Sequence, residues 1–190
     1  MNILIAAVGG QGAVLASRIL GNYAAARGFA VKVSEIHGMS QRGGSVVTHV
    51  RFGEEVHSPV VERGAADALL AFELLEAARF ASYLHEGALL VANTQRILPQ
   101  PVLSGQAKYP ADLEASLRRL PVRSCFVDAA ARATQLGNVK AVNTLLIGVL
   151  ARQLTSDPEP WIAAVAQSVK PAHKALNLAA FDSGWQMQFS

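Results

Sequence analysis

Six consecutive apolar residues, Ile3 to Val8, lead into three glycines within four positions, Gly9-Gly10-Gln11-Gly12. An unbroken run of this kind predicts a parallel strand buried on both faces. From Ala13 to Arg27 the apolar positions change to helical spacing, at Leu15, Ile19, Leu20 and Tyr23, and Gly28 predicts the stop. Phe29–Val33 predicts a second strand, ending at Ser34-Glu35. Strand, helix and strand in such close succession predict a right-handed parallel βαβ unit.

A polar, glycine-rich loop follows, His37-Gly38-Met39-Ser40-Gln41-Arg42-Gly43-Gly44. Ser45–Phe52 then alternates, with Val47, His49 and Arg51 on one face and Val46, Thr48, Val50 and Phe52 on the other. A turn at Gly53-Glu54 and the stretch Val56–Val61 predict a hairpin partner for it. Ala68–Phe72 and Ala88–Ala92 read as further short strands, separated by a helix at Leu74–Leu84. Gln95–Pro110, with Pro99, Pro101 and Pro110, reads as an extended surface excursion. A short helix at Ala111–Leu120 and a strand at Val122–Val127 come next, with Asp128 placed to cap a following helix.

Beyond Gly137 the pattern is purely helical. Val142, Leu145, Leu146, Val149 and Leu150 make one stripe, and Pro160–Val169 makes another with Ser156 or Asp157 available as its cap. Phe181, Trp185 and Phe189 recur every four residues, as a ridge for the chain's own core or for a partner. Asn143 interrupts the first stripe and wants a hydrogen-bond partner. Gly148 predicts a close backbone approach. The whole reads as a single domain spanning residues 1–190. Its fold class is α/β, a three-layer, Rossmann-like, mostly parallel sheet with an antiparallel extension and a helical C-terminal part.

Composition narrows the function. Half of the chain is hydrophobic (51%) and only 16% is charged, which excludes disorder. The mean hydropathy of +0.26 is high for a soluble monomer, so part of the apolar surface is expected to face another chain. The net charge is +3, but the 17 basic residues are scattered and their longest run is Arg118–Arg119. No patch suited to nucleic acid emerges. The apolar run Val142–Leu154 is too short and too polar to span a bilayer, and Ile3–Val8 reads as a strand rather than a secretory leader. The expected location is the cytoplasm, and neither nucleic acid nor membrane is an expected partner. One cysteine, Cys125, lies in a strand. A single thiol forms no disulfide within the chain and cannot hold an iron–sulfur cluster. The histidines His37, His49 and His57 fall in separate elements without metal-ligand spacing.

Two loops carry the candidate chemistry. The glycines at 9, 10 and 12 allow close backbone approach, and the helix N-terminus behind them suits phosphate or carboxylate. As a dinucleotide fingerprint the match is incomplete. Gly10 and Gly12 supply two glycines of G-x-G-x-x-G, Leu15 occupies the third place, and Glu35 stands where a ribose-binding acid belongs. A Walker loop is excluded, since no Gly-Lys-Ser/Thr follows. In the second loop Arg42 could clamp an anion bidentately, with Gly43 and Gly44 offering backbone N–H groups. Ser40 begins a G-x-S-x-G pattern that fails at Arg42 and runs into a β segment, which excludes a nucleophile elbow. Asp67 and Glu73 flank a strand and read as caps of neighbouring elements.

Taken together, Ala7-Val8-Gly9-Gly10-Gln11-Gly12 and Ser34-Glu35-x-His37-Gly38-Met39-Ser40-Gln41-Arg42-Gly43-Gly44 resemble the gamma subunit or domain of the pyruvate and 2-oxoacid ferredoxin oxidoreductases. The second loop is most similar to the indolepyruvate beta-subunit branch. One departure is Ala7, where that family often has glycine. The resemblance implies a heteromeric enzyme in which a larger subunit carries thiamine diphosphate, magnesium and iron–sulfur clusters. That complex would oxidise an aryl 2-oxoacid with coenzyme A and pass electrons to ferredoxin. It further implies that this chain binds no cofactor alone and holds no catalytic acid, base or nucleophile. Gly9, Gly10, Gln11, Gly12, His37, Ser40, Gln41, Arg42, Gly43 and Gly44 would face substrate, coenzyme A or the partner. An independent nucleotide-binding protein using Gly10, Gly12 and Glu35, or a pure scaffold, are the alternatives.

Overall fold

The computed structural model describes residues 1–38 and 43–189. At its centre lies strand β1 (Asn2–Val8), buried from Ile3 to Val8, which accounts for the unbroken apolar run. It pairs in parallel with β4 (Ala66–Ala71) and antiparallel with β3 (Ser45–Gly53). Strands β5 (Leu84–Asn93) and β6 (Arg123–Val127) continue the parallel side, and β2 (Ala30–His37) lies antiparallel against β3. The order across the sheet is β2-β3-β1-β4-β5-β6.

Helices cover both faces. Helix α1 (Ala13–Ala26) packs with α5 (Ala129–Gln135), α6 (Val142–Leu154), α7 (Glu159–Ser168) and α8 (Lys174–Trp185) on the face of Ile3, Ile5, Leu70 and Val91. Helices α2 (Leu74–Phe80) and α4 (Leu113–Leu117) cover the opposite face, over Leu4, Ala6, Leu69 and Leu90. The three-layer α/β arrangement, its antiparallel extension and the helical C-terminal part are as the sequence predicts. The surface excursion contains a short helix, α3 (Gln100–Leu103).

Two expectations are corrected. Strand β2 runs in the same direction as β1 but does not neighbour it, because β3 is inserted between them. The opening strand, helix and strand are therefore not an adjacent βαβ pair. Val56–Val61 is not a strand either. Both edges of β3 are already occupied, by β1 and β2, so no ladder remains for a hairpin partner. That segment instead straps across the sheet. Arg51 Nη1 donates to the carbonyls of Ser58 (3.0 Å) and Val60 (3.1 Å), and buried His49 Nδ1 accepts the Val61 N–H at 3.1 Å.

Several smaller expectations hold. Asp128 Oδ1 accepts the Ala131 N–H at 3.0 Å and caps α5. Asp157 Oδ1 accepts the Glu159 N–H at 3.0 Å at the start of α7. Phe181 and Trp185 are buried in the chain's own core, and Phe189 packs against it. The close approach expected at Gly148 is the crossing of α6 over α8. A Cβ there would stand 2.1 Å from the Phe181 carbonyl oxygen, and one at Gly184 would stand 2.0 Å from that of Leu145. Only glycine allows the two backbones to meet at this distance.

Candidate functional site

Strands β1, β4, β5 and β6 are parallel, so their carboxyl ends share one edge of the sheet, and ligands of such sheets bind beyond that edge. The first glycine turn sits there. Gly10 and Gly12 take positive φ (99° and 85°), conformations that a side chain would strain. Gly12 is the N-cap of α1 and supplies no side-chain acceptor to its first turn. Its Cβ, if present, would lie 2.2 Å from Asn143 Nδ2. Asn143 instead donates to the Gly12 carbonyl at 3.3 Å, which is the partner this polar break in α6 requires.

Gln11 turns inward. Its Oε1 accepts the Val8 N–H (2.8 Å), and its Nε2 donates to the Phe72 carbonyl (3.0 Å) and to Gln95 Oε1 (3.3 Å). Fully buried Asn93 repeats the pattern from β5. Its Nδ2 donates to the Phe72 carbonyl and Gln95 Oε1, while its Oδ1 accepts the Ala129 N–H. These amides bind the ends of β1, β4 and β5 to the start of α5. Gln11 thereby fixes the turn's shape. Gly9 is tied to the second loop through its N–H on the Gly44 carbonyl, at 2.8 Å.

Three clefts open around these loops. The first, of about 390 Å³, gathers Gly9, Gly10 and Gly12 with Glu35 and His37. Glu35 and His37 lie on β2, which extends to His37 and is longer than the sequence predicts. The Nδ1 of exposed His37 lies 3.1 Å from the Gly38 carbonyl oxygen. The second cleft, of about 400 Å³, lies across the same turn and is bounded by Gln11, Gln95, Lys140 and Asn143. Gly43 and Gly44 line the third, of about 420 Å³, together with Ser45, Glu76 and Arg79. Ser40, Gln41 and Arg42 lie outside the described residues.

A polar centre that the sequence reading missed forms the floor of this third cleft. Glu73 and Glu76 are 1% and 4% exposed. Glu73 Oε2 caps α2 by accepting the Glu76 N–H (2.9 Å), as expected of a capping residue. Its Oε1 also accepts the Ile97 N–H (3.1 Å) and the Tyr109 hydroxyl (2.5 Å), which pins both ends of the proline-rich excursion. Burial and the neighbouring carboxylate push the Tyr109 hydroxyl above its ordinary range. Glu76 accepts a short hydrogen bond from Ser45 Oγ and pairs with Arg79 Nε at 3.2 Å. Burial raises the Glu76 carboxyl above the usual range, while Ser45 and Arg79 draw it back. The spacing Glu73-x-x-Glu76-x-x-Arg79, with like faces of a helix start recurring every three residues, is the only trace of this centre in the sequence.

Cys125, 3% exposed, is an inert buried thiol, its pKa raised to about 11 mainly by desolvation. Among the described residues no three of His, Cys, Asp or Glu lie close enough to hold a metal ion, and no helix is long and apolar enough to cross a membrane.

The family model for pyruvate ferredoxin/flavodoxin oxidoreductase matches residues 2–187, almost the entire length. The chain belongs to the pyruvate ferredoxin/flavodoxin oxidoreductase family. Within that family it is 40% identical to indolepyruvate oxidoreductase subunit IorB of Pyrococcus horikoshii, across 96% of this chain and 93% of that one. Its fold superposes with a TM-score of 0.72 on the gamma subunit of a keto/oxoacid ferredoxin oxidoreductase from Geobacter sulfurreducens, at 24% identity and covering 97% and 96% of the two chains. It also matches a 2-oxoglutarate:ferredoxin oxidoreductase from Magnetococcus marinus, with a TM-score of 0.73 and 17% identity. There it covers 97% of this chain but 30% of the other, so the same fold occurs as one part of a larger oxidoreductase chain. The resemblance seen in the two glycine loops thus extends over the whole fold. The chain is a subunit-type member of an oxidoreductase family.

Proposed function

We propose that this chain is the accessory subunit of a thiamine-dependent, ferredoxin-linked 2-oxoacid oxidoreductase, and that it completes the active-site cleft of a larger cofactor-bearing subunit. The proposed substrate is indolepyruvate or another aryl 2-oxoacid, converted to the acyl-CoA. The carrying observation is the carboxyl edge of the sheet. Val14, Leu98, Leu103 and Val139 are exposed there, each lining one of the three clefts around the glycine loops. Apolar side chains gathered around open backbone are what a partner chain covers. In such a complex thiamine diphosphate, with magnesium, would supply the carbon chemistry and the iron–sulfur clusters the electron transfer, both from the partner. The residues of this chain shape and close the cleft: the Gln11–Asn93–Gln95 amides hold its backbone, and the glycines leave it open. Ferredoxin would meet the complex through the cluster-bearing subunit, in the cytoplasm.

Reconstitution tests this reading. The chain is mixed with the large subunit, indolepyruvate, coenzyme A and a viologen dye, and dye reduction is followed. Turnover that requires both chains supports it, and equal activity of the large subunit alone refutes it. One observation favours a second reading. The first cleft brings Glu35 together with Gly10 and Gly12, the grouping an independent nucleotide-binding protein would use. Calorimetric binding of NAD by the isolated chain, weakened by Glu35→Gln, would select that reading.

A further inference from the structure

The cleft beside Arg79 has a construction that the glycine loops lack. Its floor is a buried carboxylate, Glu76, which takes one side of the Arg79 guanidinium through Nε and is itself held by Ser45. Among the described residues neither Nη of Arg79 has a protein acceptor, and the side chain is about half exposed (49%). A guanidinium drawn to a buried carboxylate at its Nε, with no acceptor at either Nη among the described residues, keeps those donors available to an incoming anion. The walls around it are apolar, from Leu75, Ile97, Leu98 and Leu103. Leu98 and Leu103 are 45% and 63% exposed, with no further layer over them among the described residues. The wall does not hang loose, because Glu73 fastens Ile97 through its N–H and the far end of the same excursion through Tyr109. At about 420 Å³ the space suits a small molecule rather than a folded segment.

We propose that this cleft binds a small organic anion with a flat apolar body, the carboxylate against Arg79 and the body against the Ile97–Leu103 wall. Glu76 is a positioning residue, orienting the guanidinium without touching the ligand. The chemistry of the cleft suits an oxyanion on an apolar carrier. That its physiological member is the aryl 2-oxoacid of the complex rests on the function proposed above.

The test separates the two levels. The full-length chain is titrated calorimetrically with indole-3-acetate and with indole-3-acetamide, a neutral molecule of the same shape. The acetate is expected to bind with Kd on the order of 1 mM or tighter, and the amide at least about tenfold more weakly. Arg79→Gln should abolish that preference and Arg79→Lys should retain part of it, since lysine keeps the charge but not the fork. Unchanged circular dichroism and Tm would show that both variants fold. Equal affinity for acid and amide, unchanged binding by Arg79→Gln, or binding of neither molecule overturns the proposal. In the reconstituted complex Arg79→Gln should raise the KM for the 2-oxoacid with little change in kcat. An unaltered KM overturns the substrate assignment. Loss of co-elution with the large subunit would show that the guanidinium takes a partner carboxylate, which also overturns it. A complex that reduces no dye while acid and amide still discriminate strikes the proposed function and leaves the anion site standing.

Discussion

The two faces of the sheet bury different chemistry. On the face of α6 and α8, the closest contacts are backbone to backbone, at Gly148 and Gly184, and the buried polar pair Thr144 and Asn177 is uncharged. On the face of α2, the buried set includes Glu73, Glu76 and His49. His49 lies across from Leu4 on that face. Hydrophobic packing alone rewards the first arrangement, since burying an ionisable group costs energy unless each lone pair and proton finds a partner. The second face bears that cost beside the third cleft, and its carboxylates pin loops there. One face holds the fold together, and the other fastens the loops that border the third cleft.

Substitutions can break this contrast, beginning with the tightest contact. Gly184→Ala would drive a Cβ into the Leu145 carbonyl, and with backbone on both sides neither helix can yield locally. A loss of about 3 kcal/mol in urea unfolding is expected. Glu73→Ala leaves the N–H groups of Glu76 and Ile97 and the Tyr109 hydroxyl without their acceptor. It should cost about 2 kcal/mol, with trypsin cutting faster at Arg96 and Lys108 as the excursion loosens. Unchanged proteolysis there would mean that the carboxylate only caps α2.

Gly12→Ala meets both a positive φ and Asn143, and about 1–2 kcal/mol of stability should be lost. Adding Asn143→Ala relieves the collision but not the strained backbone, so a double-mutant cycle should show partial coupling. The smallest effect concerns pH. Burial lowers the His49 pKa from its ordinary 6.5. The unfolded chain therefore takes up a proton near pH 6.5 that the folded chain refuses until lower pH. Stability from neutral His49 is complete above that range and drains as pH falls through it towards the folded value. His49→Gln should flatten this part of the stability–pH curve, an effect below about 1 kcal/mol at neutral pH.

How much of this was legible differs between the same two faces. Ile3–Val8 announced a strand buried on both faces, and the Phe181–Trp185 ridge was readable as a ridge but not as one turned to the chain's own core. The stripe from Val142 to Leu150 announced the helical face because apolar burial leaves a period in the sequence. Gly148 and Asn143 stood out as exceptions to such a period, and both proved to mark close contacts. Strand neighbours leave no such trace. The insertion of β3 between β1 and β2 depends on pairing across the sheet, and it removed the hairpin expected at Val56–Val61. The Glu73–Tyr109 and Glu76–Ser45 contacts join residues 36 and 31 positions apart, by hydrogen bonds that no spacing rule encodes. At the candidate site the glycines were readable as open backbone. That Gln11 spends its amide inside the chain was not, because its partners Phe72 and Gln95 lie on other strands and loops.

The bond from Asn143 to Gly12 spans 131 positions of chain. A ribosome makes the glycine turn well before its holder. While residues 13 to 142 are still being added, the Gly12 carbonyl lacks its Asn143 donor. Gln11 can shape the turn once Phe72 and Gln95 are made, but its Gly12 end is held only when α6 docks. A product ending before Asn143 would therefore carry the entire motif without that hold. A closure over 131 positions is a long-range contact, of the kind whose loop entropy must be met before the contact forms.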